Sequence, residues 1–412
     1  MKTTLLALAA ACCFGQASAS DLDRQLAEIV RTPQMELASL SVVAIRDGEV
    51  RYQAAFGAQQ IGGAAATPET MYRIASISKM VTTLGALKLV EQGKLDLNTD
   101  VSRYLGFSLR NPHFPERAIT LRQLLSHTSS LRDAGGYFWP HSTPLASVIG
   151  PASWAREQAP GAYFTYSNLN WAMIGAVMEA AGGARFDQLM DQLIFAPMGI
   201  RASYHPSNFT PAELSKLATL YRKRTVDTEI WDSRGPWIAQ VDDYRQGPPA
   251  PPPAITPYRL GSNPTPFSPT GGLRISAPDL ARIMLMMMNN GQYQGKQILQ
   301  PATLARMFQR EWTFDGKNGD DEHGFYGAWG LGNQQFDGAR VVEGGRFQAV
   351  GHLGEAYGLI SAFILDREHK DGMVMFVGGT SADPAQYKGR YSALERFTEQ
   401  ILTALYRGAI AR

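Results

Sequence analysis

In "YRIASISKM", residues 72–80, Ser76 and Ser78 stand just ahead of Lys79 where an apolar helical pattern begins. A serine hydroxyl is a weak nucleophile at neutral pH, and a lysine amine that burial keeps neutral can take its proton. Residues three apart on a helix share a face, so Ser76 and Lys79 can meet whereas Ser78 and Lys79 diverge. Ser76 is therefore the candidate nucleophile. About one S-x-x-K is expected by chance in a chain of this size, so the pair needs partners. Tyr166-Ser167-Asn168 is the only Y-x-N in the chain and precedes an apolar helical run; its plain structural alternative is a helix cap. His352-Leu353-Gly354 is the only H-x-G and lies at the edge of a strand pattern; its alternative is a polar strand residue beside a bulge glycine.

The elements that must position these residues follow from periodicity. Ile77, Val81 and Leu84, widened by Met80 and Leu87, predict a helix from Ser76 to about Gly93, buried within the protein. "DLDRQLAEIV" has helical spacing, and "SLSVVAIRDGEVRYQAAFG" reads as a hairpin about Asp47-Gly48. Residues 95–225 read as mostly helical segments broken by Pro and Gly. "ISAPDLARIMLMMMNNG" is a helix capped by Ser276 and stopped by Gly291, its methionines packing a core. Beyond residue 320, "YGAWGLG", "RFQAVGHLG", "GLISAFILD" and "GMVMFVGG" predict an antiparallel meander, and "YSALERFTEQILTALYR" an amphipathic closing helix. The economical fold is α/β (α+β): both chain ends join one antiparallel sheet covered by the terminal helices, and the middle forms a helical lobe. Residues 225–268 are rich in proline, and Trp231, Trp237, Tyr244 and Tyr258 within them are candidates to wall a substrate cleft.

Composition narrows the partners. The 412 residues carry 39 Lys plus Arg against 37 Asp plus Glu without a long charged block, which gives no support for nucleic acid or an anionic membrane surface and favours a small-molecule or peptide substrate. The first residues, "MKTTLLALAAACCFGQASAS", have a lysine, an apolar run and Ala17-Ser18-Ala19, the pattern of a secretory signal over residues 1–19. Both cysteines, Cys12 and Cys13, fall inside it, so the exported chain would hold no thiol for a disulfide, a metal or catalysis. No G-x-S-x-G elbow, H-E-x-x-H, Walker loop or dinucleotide fingerprint is present, so no cofactor or metal is expected. "DGKNGDDEH" is only loosely like a calcium loop, because Lys317 stands where an oxygen ligand is needed.

The order S-x-x-K, Y-x-N, then basic-x-Gly on a late strand resembles the serine β-lactamase and penicillin-binding protein superfamily, in particular its class C-like branch of β-lactamases, D,D-carboxypeptidases, D-aminopeptidases and carboxylesterases. "SVVAIRDGEV", "ETMYRIASISKM", "ITLRQLLSHTSSL", "YFTYSNLN", "SPTGGLRISAPDLARIM" and "GHLGEAYG" read as its segments in order. The resemblance implies a β-lactamase/transpeptidase-like fold, with an α/β lobe over about 20–75 and 320–412, a helical lobe over about 76–319 and the site between them, in one domain over 20–412. It implies an acyl-enzyme on Ser76, Lys79 as its proton acceptor and Tyr166 as a relay to the leaving group. Asn168 would bind the substrate's acyl amide or Lys79, and the oxyanion would lie between the backbone N–H groups of Ser76 and Glu355. Gly354 would keep the strand clear for substrate. Two departures stand out: His-Leu-Gly replaces Lys-Thr-Gly, and Ser130 in "SHTSSL" stands where relatives have glycine. If His352 replaces the usual cation, its protonation should tune binding of acidic substrates between about pH 5 and 8. The implied function is an exported, periplasmic serine hydrolase cleaving an amide in a peptide or peptidoglycan-like substrate. A carboxylesterase on short acyl esters and a non-catalytic penicillin sensor are the alternatives.

Overall fold

The structure is a computed structural model describing residues 19–225, 230–249, 258–336, 341–345 and 347–411. The segment read as a leader lies, up to residue 18, outside the described residues.

Strands β1 (Ser39–Arg46) and β2 (Glu49–Gly57) form the hairpin read from the sequence. Asp47 and Gly48 at its tip have φ of 55° and 75°, the left-handed pair that a two-residue turn requires to match strand twist. The late strands are β3 (Trp312–Thr313), β4 (Ala328–Trp329), β5 (Gln334–Gln335), β6 (Ala349–Ala356), β7 (Leu359–Asp366) and β8 (Asp371–Val377). They join the hairpin in one eight-stranded antiparallel sheet of order β2-β1-β8-β7-β6-β5-β4-β3. Register is set where β1 meets β8, with Leu40 opposite Val377 and Val43 opposite Val374.

Both faces of the sheet are covered, and the period of two divides its side chains between two cores. Leu40, Val42, Ile360, Ile364 and Met375 pack with Leu22, Leu26, Phe397, Ile401 and Leu405. Those last residues come from α1 (Ala19–Val30) and the closing helix, Arg396–Leu405. Val43, Ile45, Phe363, Val374 and Phe376 face the other way, into the core shared with α2 (Ile77–Glu91), α3 (Leu169–Gly182) and α4 (Ala277–Met288). Helix α2 buries twelve of its residues. That fits the wide apolar face in its sequence.

Three expectations need correction. Helix α4 was placed in the helical lobe, yet a Cβ on Gly372 of β8 would lie 2.1 Å from Met284 Sδ, so α4 rests directly on the sheet. Together with β3 at residue 312, this moves the lobe boundary inside the expected 76–319. Between α2 and α3 the chain is mostly loops, 3₁₀ turns and helices of five residues or fewer, with Gly106, Pro112, Pro115, Pro140 and Pro144 among the breaks. Trp231, Trp237, Tyr244 and Tyr258 do not wall the cleft. Trp237 opens a strand, Trp237–Val241, that pairs with Leu220–Lys223, while Tyr244 donates to Asp242 and Tyr258 to Glu179. Of the proline-rich segment, residues 226–229 and 250–257 lie outside the described residues.

Candidate active site

The chain reaches the candidate nucleophile through a strained turn. Short strand Met71–Arg73 pairs with Arg274–Ser276, and then Ala75 turns at φ 49°, a conformation few non-glycine residues adopt. Ser76 follows as the N-cap of α2, but its hydroxyl makes no capping bond. Lys79 Nζ donates to Ser76 Oγ at 2.9 Å and to the Thr270 carbonyl at 2.9 Å. Ser78 is buried and its hydroxyl accepts the Leu273 N–H, so Ser76 is the serine of the two whose hydroxyl meets Lys79.

Lys79 is fully buried, and both hydrogen bonds of its amine go to uncharged oxygens. Desolvation presses its pKa down to about 7, against the pull of Asp133. Near neutrality a large fraction of Lys79 is then a free amine, and the 2.9 Å contact can reverse so that Ser76 donates. Tyr166 lies beside the pair, with Lys79 Nζ 5.2 Å from its ring centre and its phenol within electrostatic reach of Ser76. Burial, with Tyr326 adding, holds the Tyr166 phenol well above its usual pKa, so it is a proton donor at neutral pH.

Two residues that sequence reasoning passed over set this geometry. His127 lies behind Tyr166, the rings stacked at 4.3 Å, and its Nδ1 accepts the Ser167 N–H at 2.9 Å. Asp133 takes four donors at the start of α3: Ser167 Oγ, the Asn168 and Leu169 backbone N–H groups, and Asn168 Nδ2. So Asp133 is the cap that the sequence offered Ser167 or Asn168 for, and the carboxamide nitrogen of Asn168 is bonded to Asp133. His127 sits within a segment quoted for the family resemblance; Asp133 had no signal, because its contacts are 34 to 36 residues away. Ser130 has φ 68°, which explains why glycine suits that position in relatives. Because Asp133 raises the Lys79 pKa, Asp133→Asn should move the acid limb of kcat/KM to lower pH, measurable in a pH–rate profile.

Strand β6 brings the third motif. Its pairing with β5 ends at Gly351, which leaves the edge from His352 onward beside the start of α2. A Cβ on Gly354 would stand 2.7 Å from Ile74 O and 3.0 Å from Ser76 N. Glycine is therefore required for the protein's own backbone to close, in addition to its place on the cleft wall.

His352 also departs from expectation. It is buried, and desolvation, then the charge of Lys79, pushes its pKa down to about 3. Its Nδ1 faces Leu353 O at 2.6 Å, the geometry of an Nδ1–H donor, and its Nε2 is a buried atom without a partner. His352 is then neutral from pH 5 to 8, so it supplies no titrating cation there. Its ring nitrogens should keep neutral-imidazole NMR shifts across that range; a titration midpoint between 5 and 8 would contradict this.

These groups line a cleft of about 710 Å³ whose walls include Ser76, Tyr166, Asn168, His352, Gly354 and Glu355, with Thr265, Pro266 and Ser268 opposite. A half-buried serine bonded to a buried lysine, a protonated phenol and a strand edge beside that serine together suit acyl transfer.

That arrangement, on a sheet closed by both chain ends and set against a helical region, defines the β-lactamase/transpeptidase-like class. The Beta-lactamase family model matches residues 26–396, and the chain belongs to that family. The D-alanyl-D-alanine-carboxypeptidase/endopeptidase AmpH of Escherichia coli K12 is 31% identical over 148 residues, 34% of this chain and 38% of that protein. The uncharacterized protein MT1414 of Mycobacterium tuberculosis is 26% identical over 287 residues, so the chain spans 63% of that relative's length. The D-amino acid amidase of Ochrobactrum anthropi SV3, solved with L-phenylalanine amide, superposes with a TM-score of 0.66 at 17% identity over 94% of this chain and 98% of the amidase.

Proposed function

We propose that the protein is an exported serine hydrolase that cleaves an amide, in a peptide or peptidoglycan-like substrate, through an acyl-Ser76 intermediate. The observation that carries this is the Lys79–Ser76 contact of 2.9 Å on a fully buried lysine. Neutral Lys79 takes the Ser76 proton as Oγ bonds to the carbonyl carbon. The carbonyl oxygen gains the negative charge and is held by the Ser76 and Glu355 N–H groups. Tyr166 gives its proton to the departing amine nitrogen as the C–N bond breaks, and is reprotonated from Lys79. Water then adds to the acyl carbon, its proton passing through the same pair, and the acid leaves as Ser76 is restored. Asn168 contributes to holding the acyl amide. Export rests on the leader-like residues 1–19, and no helix among the described residues is long and apolar enough to cross a membrane.

Names among the relatives, a D-alanyl-D-alanine carboxypeptidase and a D-amino acid amidase, support amides with D-configured acyl groups as the first substrates to test. A panel of D-amino-acid amides, acyl-D-Ala-D-Ala, nitrophenyl esters and a cephalosporin decides. Higher kcat/KM on the amides and peptides is expected; turnover confined to the esters would replace this reading with the carboxylesterase.

A further inference from the structure

With His352 neutral, two arginines are cations that remain on the cleft wall. Arg73 and Arg274 both line the cleft, and they face each other across the pairing of their two short strands. Arg274 is spent: it grips Asp242 at 2.8 and 3.1 Å and donates to the carbonyls of Tyr204 and Gly272. Among the described residues Arg73 makes one hydrogen bond, from Nε to Gly271 O at 3.2 Å, and its guanidinium lies 4.6 Å over the Tyr357 ring. A guanidinium has five N–H donors in a fork that matches a carboxylate. At this end of the pocket the single charge of Asp242 stands against two arginines, and Asp242 is held by Arg274. Glu355, on the strand, has its own surroundings of two acids and two bases, Glu395 and Asp383 with Arg222 and Lys388, and burial favours its neutral form.

The position of Arg73 says which part of a substrate it meets. Tyr166 packs near His352 at the start of the exposed strand edge, the ring centres 6.2 Å apart. Tyr357, under Arg73, lies at the far end of that edge, about 16 Å on at the usual rise of an extended strand. Tyr166 serves the leaving group, so Arg73 faces the acyl side. This step rests on the proposed roles of Ser76 and Tyr166.

We infer that Arg73 is the anion-recognition group of the cleft, binding a carboxylate carried on the acyl side of the substrate. A planar cation stacked on an aromatic ring with free N–H edges is preorganised for this, and it lies in a partly closed cleft where a charge pair is screened less than at the surface.

The test is equilibrium binding by titration calorimetry of two ligands that differ in one group, N-succinyl-D-alanine and its succinamoyl analogue, in which the succinyl carboxylate is a carboxamide. The parent protein is expected to bind the carboxylate about tenfold or more tightly than the amide. Arg73→Gln should bring the ratio near one and Arg73→Lys should leave part of it. Equal affinities in the parent, or an undiminished ratio in a folded Arg73→Gln protein, would overturn the assignment. If the Gln variant does not fold, the parent ratio and the Lys variant still decide. Binding needs no acylation, so failure here is separate from failure of Ser76 to react.

Discussion

Lys79→Met is expected to lower kcat/KM on any substrate of the protein by about 10²–10⁴-fold, the usual worth of a positioned general base. It should leave the thermal midpoint at or above that of the parent. The two effects have one cause. Lys79 is buried with its amine bonded, among the described residues, to Ser76 Oγ and a backbone carbonyl, so its charged form is disfavoured where it sits. The unfolded chain holds this lysine protonated to its ordinary pKa near 10.5, whereas the folded chain releases the proton near 7. Between those values the unfolded state binds more protons, so this group makes stability rise with pH and weighs fully against folding below about 7. A methionine of similar length removes that cost and the base together. In the parent, kcat/KM should climb with pH through about 7 as Lys79 becomes the free amine. Activity of the variant within about tenfold of the parent would remove Lys79 as the base.

Gly354→Ala should cost about 10²–10³-fold in kcat, comparable to losing one oxyanion donor, with a smaller effect on KM. The new methyl would lie 2.7 Å from Ile74 O and 3.0 Å from Ser76 N, both backbone atoms that no rotamer change can move. The only relief is for β6 to draw away from α2, which separates the Ser76 and Glu355 N–H groups. A rise in KM alone, with kcat intact, would show that the glycine chiefly clears space for substrate. Steady-state kinetics on one good substrate distinguishes the two.

Much of this was legible in the sequence because it is local or periodic. The pairing of Ser76 with Lys79 depends on three residues of helix, and the buried face of α2 is written in its apolar spacing. The sheet that joins both chain ends followed from alternating strands at either end and from family resemblance. What stayed hidden was set by contacts distant in sequence. Asp133 caps α3 from a loop with no periodic pattern, and His127 acts through a ring stack. The type of residue at 352 suggested a titrating cation, but burial beside Lys79 determines its charge, and burial of one strand position cannot be read from His-Leu-Gly. The same holds for Gly354, where glycine was correctly marked as special but its neighbour is Ile74, 280 positions earlier in the chain. The aromatic residues of the proline-rich segment misled for a related reason: exposure was inferred from composition, and Tyr258 instead reaches back to a buried glutamate on α3.

The central claim is that Ser76 is the residue that takes the acyl group. Intact-mass and peptide mass spectrometry of the folded protein after exposure to a fluorophosphonate and to a labelled penicillin tests it directly. A single adduct on the peptide containing Ser76, lost in Ser76→Ala and slowed in Lys79→Met, is the expected result. Folded protein that carries no adduct on Ser76 with either reagent, or carries one on Ser78 instead, would contradict it.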